Sequence, residues 1–222
     1  MRWAERAQEA PLDHLVLAVP DLDQAVEELR EQTGVSAAAG GSHPGMGTRN
    51  ALIALRGTGG PAYLELLAPD PAQEPVAPEA TMLGLGHLVE DGTFSPRLHA
   101  WAVRPGDLDR TLALARDAGL EVGTATPASR RTRGGTELSW RLAVPHPLGL
   151  GGVQPFLIDW GSSHPTDDDL PELDLVELTL GHPDPARAQQ VLDVLGAGGA
   201  VVGAPRPTLG AVVAGPGGQT VL

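Results

Sequence analysis

The stretch LDHLVLAVPDLDQAVEEL, residues 12–29, carries a complete local plan. An apolar run comes first, then a turn with Pro20, then Asp21, then apolar residues at helical spacing. The same order recurs in LHAWAVRPGDLDRTLAL, residues 98–114, and in LDLVELTLGHPDPARAQQVL, residues 173–192. A pattern repeated along one chain is one supersecondary unit used more than once. Such β-α units, when they share a sheet, bring their polar residues to one cavity.

The punctuation agrees in all three copies. Asp21, Asp107 and Asp184 stand where an N-cap carboxylate accepts from a free backbone N–H. Gln24, three residues after Asp21, resembles a capping box. Pro185 occupies a first helical position, where its missing N–H costs nothing. Leu22, Ala25, Val26 and Leu29 make one apolar face; Leu108, Leu112 and Ala115 make the second; Ala188, Val191, Leu192 and Leu195 make the third. Gly34, Gly119 and Gly196 are the stops.

Short strand candidates follow each helix. They span 35–39, 50–55 and 62–67, then 121–126, 138–144 and 155–160, then 200–203, 209–214 and 219–222. Each copy thus reads β-α-β-β-β. Residues 68–80 are Pro-rich and acidic, a linker or loop, and 162–173 are a second polar break.

Composition narrows the class. The chain has 222 residues, 41% hydrophobic and 19% charged, an ordinary globular balance. It has no cysteine, which excludes disulfides, thiolate ligands and a cysteine nucleophile. A net charge of −13 repels polyanions, so no nucleic-acid partner is expected. Lys is absent, and with so many Gly, Ala and Pro this reads as codon bias rather than chemistry. The start MRWAERAQEAPLDHL carries no signal-peptide pattern, and no apolar run approaches the ~20 residues that span a bilayer. A cytoplasmic protein without a membrane partner is the expectation. There is no HExxH, no P-loop and no G-x-S-x-G, and Gly84 to Val89 only half fits a dinucleotide fingerprint.

The segments LDHLVLAVPDLDQAV (12–26), HPGMGTRNALIAL (43–55), AYLELLAPDP (62–71), SRR (129–131) and PFLIDWGSSHP (155–165) resemble, in this order, glyoxalase-like domain proteins. These belong to the vicinal oxygen chelate superfamily of glyoxalase I, extradiol dioxygenases and bleomycin-resistance proteins. The resemblance implies an α+β fold. Repeated βαβββ modules would pair into a curved, open, cup-shaped sheet with helices outside. It implies a glyoxalase-like domain over 1–165, with modules at about 11–70 and 97–161, and a third module over 172–222. The third would pack outside the cup or pair with its copy in a homodimer.

Metal-using members take one ligand from the first strand and one from the last strand of each module. The matching residues here are His14 and Glu65. Imidazole and carboxylate suit a divalent Zn, Mn, Fe or Ni with open positions for a chelating substrate. A Glu inside an apolar strand needs a partner, a cavity or a metal. Matching Pro20 to Pro105, with Gly106 as an inserted residue, puts His99 opposite His14 as a third ligand. An ungapped match of the caps puts Ala100 there instead. In the last strand of the second module, Ile158 stands opposite Glu65, and Asp159 reaches that place only with a shift of one residue. In the third copy Glu177 holds the position of His14, and a solvent-facing role is favoured for it.

The resemblance places Arg49 and Asn50 at the mouth of the cup, where an Arg fork suits a carboxylate or phosphate. A surface ion pair is the competing reading of Arg49. Arg130, Arg131 and Arg133 form a local basic patch, with Arg131 the anion-binding candidate. Trp140 and Trp160 fall in predicted strands, where core packing competes with stacking on a ligand. Trp140, Asp159, Arg49, Asn50 and Arg131 are the candidate substrate contacts, and Glu65 is the candidate proton shuttle. Two activities follow. One is lyase, isomerase or dioxygenase chemistry on a small molecule with vicinal oxygens, assisted by a metal. The other is metal-free sequestration of a small molecule, as in bleomycin resistance.

Overall fold

A computed structural model describes residues 8–131 and 137–222. Arg133 of the basic patch lies outside the described residues. The first module is β1 (Leu12–Ala18), α1 (Leu22–Thr33), β2 (Ala38–His43), β3 (Thr48–Arg56) and β4 (Ala62–Pro69). A short helix, α2 (Leu85–Glu90), sits in the connection to the second module. That module is β5 (Arg97–Val103), α3 (Leu108–Asp117), β6 (Thr126–Arg131), β7 (Glu137–Ala143) and β8 (Phe156–Asp159). The third is β9 (Glu172–His182), α4 (Pro185–Leu195), β10 (Val201–Gly203), β11 (Thr208–Gly215) and β12 (Gly218–Val221). The α+β architecture of repeated βαβββ modules is therefore present three times.

The helices begin where the caps dictate. The Asp21 carboxylate accepts from the backbone N–H groups of Asp23 and Gln24, Asp107 from that of Arg110, and Asp184 from that of Arg187. Gly34 and Gly196 end α1 and α4 in the left-handed conformation. The Gln24 side chain does not return to the cap; it donates to Glu28 instead.

All strands join one sheet in the order β12-β11-β9-β3-β4-β1-β5-β8-β7-β6, with β2 on β3 and β10 on β9. The two first strands, β1 and β5, lie side by side and antiparallel, which fuses the first two modules into one curved surface. β3 pairs with β4 along one edge and is long enough to serve two further partners along the other. Its first half pairs with β2 and its last three residues pair in parallel with β9, so the third module extends the sheet.

Strand alternation sorts the side chains onto two faces. Leu15, Leu17, Ile53, Leu64 and Leu66 point outward and pack with the apolar faces of α1, α3 and α4. Burying each such side chain contributes about 1.5–3 kcal/mol. Val16, Ala18, Tyr63, Ala102, Phe156 and Ile158 point inward and form a second apolar cluster that floors the cup. The segment before β5 folds over this floor, and Leu83 and Leu85 pack against it. Leu83 does so with φ 54°, a backbone conformation uncommon for a leucine.

β6 begins five residues later than the sequence pattern suggests. Residues 121–125 instead run irregularly past Val144, where the left-handed Gly123 passes so close that a Cβ would lie 2.2 Å from the Val144 carbonyl oxygen. No described helix is long and apolar enough to cross a membrane.

Candidate functional site

His14 on β1 and Glu65 on β4 come together on the inner face. Val16 and Glu65 are register partners in the parallel β1–β4 pair, so alternation directs His14, Val16 and Glu65 into the cup. His14 Nε2 lies 3.9 Å from Glu65 Oε2, too far for a direct hydrogen bond. His43, at the end of β2, approaches the other carboxylate oxygen: its Nε2 is 3.8 Å from Oε1. Asn50 on β3 donates its amide to the same Oε1. One buried carboxylate thus sits between two imidazoles and is held by one amide.

Each imidazole is fixed from behind. His14 Nδ1 lies 2.7 Å from Asp13 Oδ1, and its ring stacks on Tyr63 at 4.6 Å and 16°. His43 Nδ1 lies 2.8 Å from the Thr48 hydroxyl. Asn50 is seated by Gly40. A Cβ there would lie 2.1 Å from Asn50 Oδ1, a carbonyl oxygen that is buried and has no hydrogen-bond partner among the described residues.

Asp13 is the hub behind this wall. Adjacent strand residues ordinarily face opposite ways, but the β1–β5 register shifts between Leu12 and His14. This bulge lets neighbouring side chains share one side. Asp13 is fully buried. Its carboxylate meets His14, the Trp160 indole N–H at 3.1 Å, His164 Nε2 at 3.2 Å and Arg104 Nη1 at 3.0 Å. Burial works against its charge. Hydrogen bonds from His14 and His164, with the electrostatic attraction of the two rings, outweigh that and hold the carboxyl well below the usual carboxylate range.

The opposite wall is apolar. Trp140 and Trp160 tilt against each other at 4.9 Å and 45°. Phe156 meets the His14 ring edge-on at 5.2 Å. The cavity between the two walls measures about 40 Å³, room for a few waters or a small head group. It is bounded by Met82, Leu83 and Leu142, which also border an outer groove of about 830 Å³.

The other expected residues fall elsewhere. His99 does not enter the cup. Its Nε2 lies 2.9 Å from the Leu83 carbonyl oxygen, because the register places Ala102, not His99, beside His14. Arg49 pairs with Asp23 of α1 at 3.0 Å, the surface ion pair that competed with a ligand role. Asp159 faces out of the sheet. A backbone bond from Gly161 and the Arg141 guanidinium hold its carboxyl below the usual range. Ile158 takes the inward place. Arg131 ends β6, and its side chain lies outside the described residues. Asn50 and Trp140 do line the cup. His43, Asp13 and His164 join the site without having been singled out as candidates. His43 lies in a glycine-containing stretch and His164 precedes Pro165, neither of which marks a site, and Asp13 carries no motif.

The donor set does not make a closed metal site. Beside His14 the second module offers Ala102, and Phe156 follows next in the sheet. Among the described residues no three of His, Cys, Asp and Glu are grouped so as to hold a metal ion.

The family described as Glyoxalase-like domain matches residues 12–196. No curated protein matches the chain. Among solved structures, a hypothetical protein from Staphylococcus aureus is similar at 13% identity, covering 96% of this chain and 84% of the other, with a TM-score of 0.64. A Streptomyces coelicolor methylmalonyl-CoA epimerase variant, in complex with 2-nitronate-propionyl-CoA, is similar at 25% identity over 68% of this chain and 97% of its own, with a TM-score of 0.47. The Mycobacterium tuberculosis methylmalonyl-CoA epimerase has 24% identity over 67% and 85%, with a TM-score of 0.42. The first of these likenesses is one of fold.

Proposed function

The chain belongs to the glyoxalase-like domain family of the vicinal oxygen chelate superfamily, and from that membership we propose that its cup binds a small molecule and moves a proton on it. Glu65 is the acid–base group. The observation that carries this reading is one buried carboxylate flanked by two imidazoles, neither of which bonds to it directly. A ligand oxygen set to one side of the line joining Glu65 Oε2 and His14 Nε2, which are 3.9 Å apart, is within hydrogen-bond reach of both.

Each residue then has a task. Glu65 takes a proton from a carbon beside a carbonyl and returns it. The Asn50 amide steadies its carboxylate. His14 turns its Nε2 toward the ligand oxygen on which charge develops, and Asp13 holds the ring from behind. General acid–base help of this kind contributes about 10²–10⁴-fold. The aromatic wall of Trp140, Trp160 and Phe156 holds the ligand body and keeps water out, so the charges act in a low dielectric. A substrate with adjacent oxygens, such as an α-hydroxy ketone, presents its two polar atoms to the His14–Glu65 side.

No step here passes through a metal. His14 and Glu65 would be the two ligands of one if it were bound, and catalytic metal sites ordinarily use three protein ligands.

Sequestration without chemistry is the second reading. The tilted Trp140–Trp160 pair favours it, as a surface suited to a flat apolar compound.

Titration of the purified protein with acetoin, an α-hydroxy ketone, tests the binding step through Trp fluorescence. A saturable change that Trp140→Leu abolishes is expected. A wild-type signal that stays flat contradicts the proposed pocket.

A further inference from the structure

A second cleft lies on the far side of Leu83. It measures about 850 Å³ and is walled by α2, the start of β5, the turn after β7, and the turn between β10 and β11. Its lining carries more positive than negative charge in an acidic chain. Arg97 and Arg206 border it against one carboxylate, Glu79, with His87, His99 and His146 beside them. Acidic residues outnumber arginines 28 to 15 in the sequence, so this local excess is the reverse of the molecule's overall sign.

Arg30, Arg49, Arg56, Arg104 and Arg141 each hold a carboxylate. Among the described residues Arg97, Arg116, Arg187 and Arg206 have no such partner, although acids abound; Arg116 donates to the Gly123 carbonyl oxygen, and of the four Arg97 and Arg206 border the cleft. An arginine left unpaired at the rim of a large cleft is a free fork for an anion. Arg206 is also held in place. It stands between Pro205 and Pro207, and a Cβ added at Gly151 would lie 2.8 Å from Pro207, so the turn packs directly on the second module. His99 forms part of the floor. Burial and the nearby Arg97 charge lower its pKa, which keeps it neutral while it bonds the Leu83 carbonyl. Leu88, Leu98, Leu148 and Leu209 supply apolar wall.

We propose that this cleft is a second ligand site, separate from the cup, that takes a small organic anion: a phosphate or carboxylate head on an apolar body. Arg97 and Arg206 bind the head, His87 and His146 add donors, and the leucines cover the body. Because Arg206 and Leu209 come from the third module, that module completes the site.

Calorimetric titration of the full chain with phenyl phosphate, benzoate and benzyl alcohol tests this. At least one anion binds saturably and the neutral alcohol does not. Whichever anion binds more tightly identifies the head group. Arg206→Gln and Arg97→Gln each weaken that binding about tenfold or more. Glu65→Gln in the cup leaves it unchanged, so failure of the proton-transfer reading would not imitate failure here. Both arginines are exposed, and circular dichroism of the variants checks that they fold. The proposal is overturned by no saturable binding of either anion up to roughly 10 mM. It is equally overturned by equal binding of the alcohol, or by full affinity in both arginine variants.

Discussion

Asp13 and His14 are neighbours in one strand, yet Asp13 Oδ1 lies 2.7 Å from His14 Nδ1. A bulge against β5 makes this possible. It converts a residue that alternation would send outward into the support of the imidazole that faces Glu65. Everything proposed for the cup depends on that support, because it fixes which nitrogen of His14 faces Glu65.

Asp13→Asn should therefore destabilise the protein by about 3 kcal/mol at neutral pH, since it leaves Arg104 without its buried counter-charge. The pH dependence has a definite sign. The carboxyl's ordinary value is 3.8 and the fold lowers it. Its stabilisation is complete above that value and is lost as the pH falls below it toward the depressed folded value. Denaturant melts of the two proteins should differ most near neutrality and converge in strong acid. A gap that widens on acidification would show that the charge on Asp13 is not what stabilises.

Gly40→Ala should disturb the site without touching a polar group. The new methyl would collide with Asn50 Oδ1 and displace the amide that holds Glu65. A stability loss of about 1–3 kcal/mol is expected from the crowding. The Asn50 side-chain amide resonances, followed by NMR, should shift together with it.

Leu83→Ala should join the cup to its two neighbouring clefts, because Leu83 borders all three. The buried truncation costs about 2–4 kcal/mol. Bulkier α-hydroxy ketones such as benzoin should then bind more tightly than in the wild type. Unchanged selectivity by fluorescence titration would mean that Leu83 does not limit the pocket.

Metal content follows from the donor set. Elemental analysis of purified protein should find less than one divalent metal per chain, and His14→Ala should not change it. Stoichiometric metal that this variant loses would restore the metal-dependent reading.

Much of the fold is legible in local sequence. The three aspartate caps act within a few residues, so Asp21, Asp107 and Asp184 announce their helices directly. Alternation groups His14 with Val16 on β1 and Tyr63 with Glu65 on β4, the family resemblance couples the two, and the β1–β4 register brings them to one face. What escapes are effects of register. His99 looks equivalent to His14 once Gly106 is treated as an insertion, but a second irregularity in β1–β5, between Val16 and Leu17, settles the pairing differently. Asp159 is excluded by the same alternation that admits Ile158. His43 is hidden because a short glycine-containing strand, β2, has no apolar signature, and its place beside Glu65 comes from hairpin pairing with Thr48. His164 reaches Asp13 across 151 positions of sequence.

The most direct test of proton transfer at Glu65 is solvent exchange. Wild-type protein in D2O with acetoin should bring deuterium into the hydroxyl-bearing carbon beside the carbonyl, followed by proton NMR. Glu65→Gln should still bind acetoin but slow the protein-catalysed exchange by about 10²-fold or more. Exchange that is equally fast in Glu65→Gln, or no faster in the wild type than in buffer, would contradict the account.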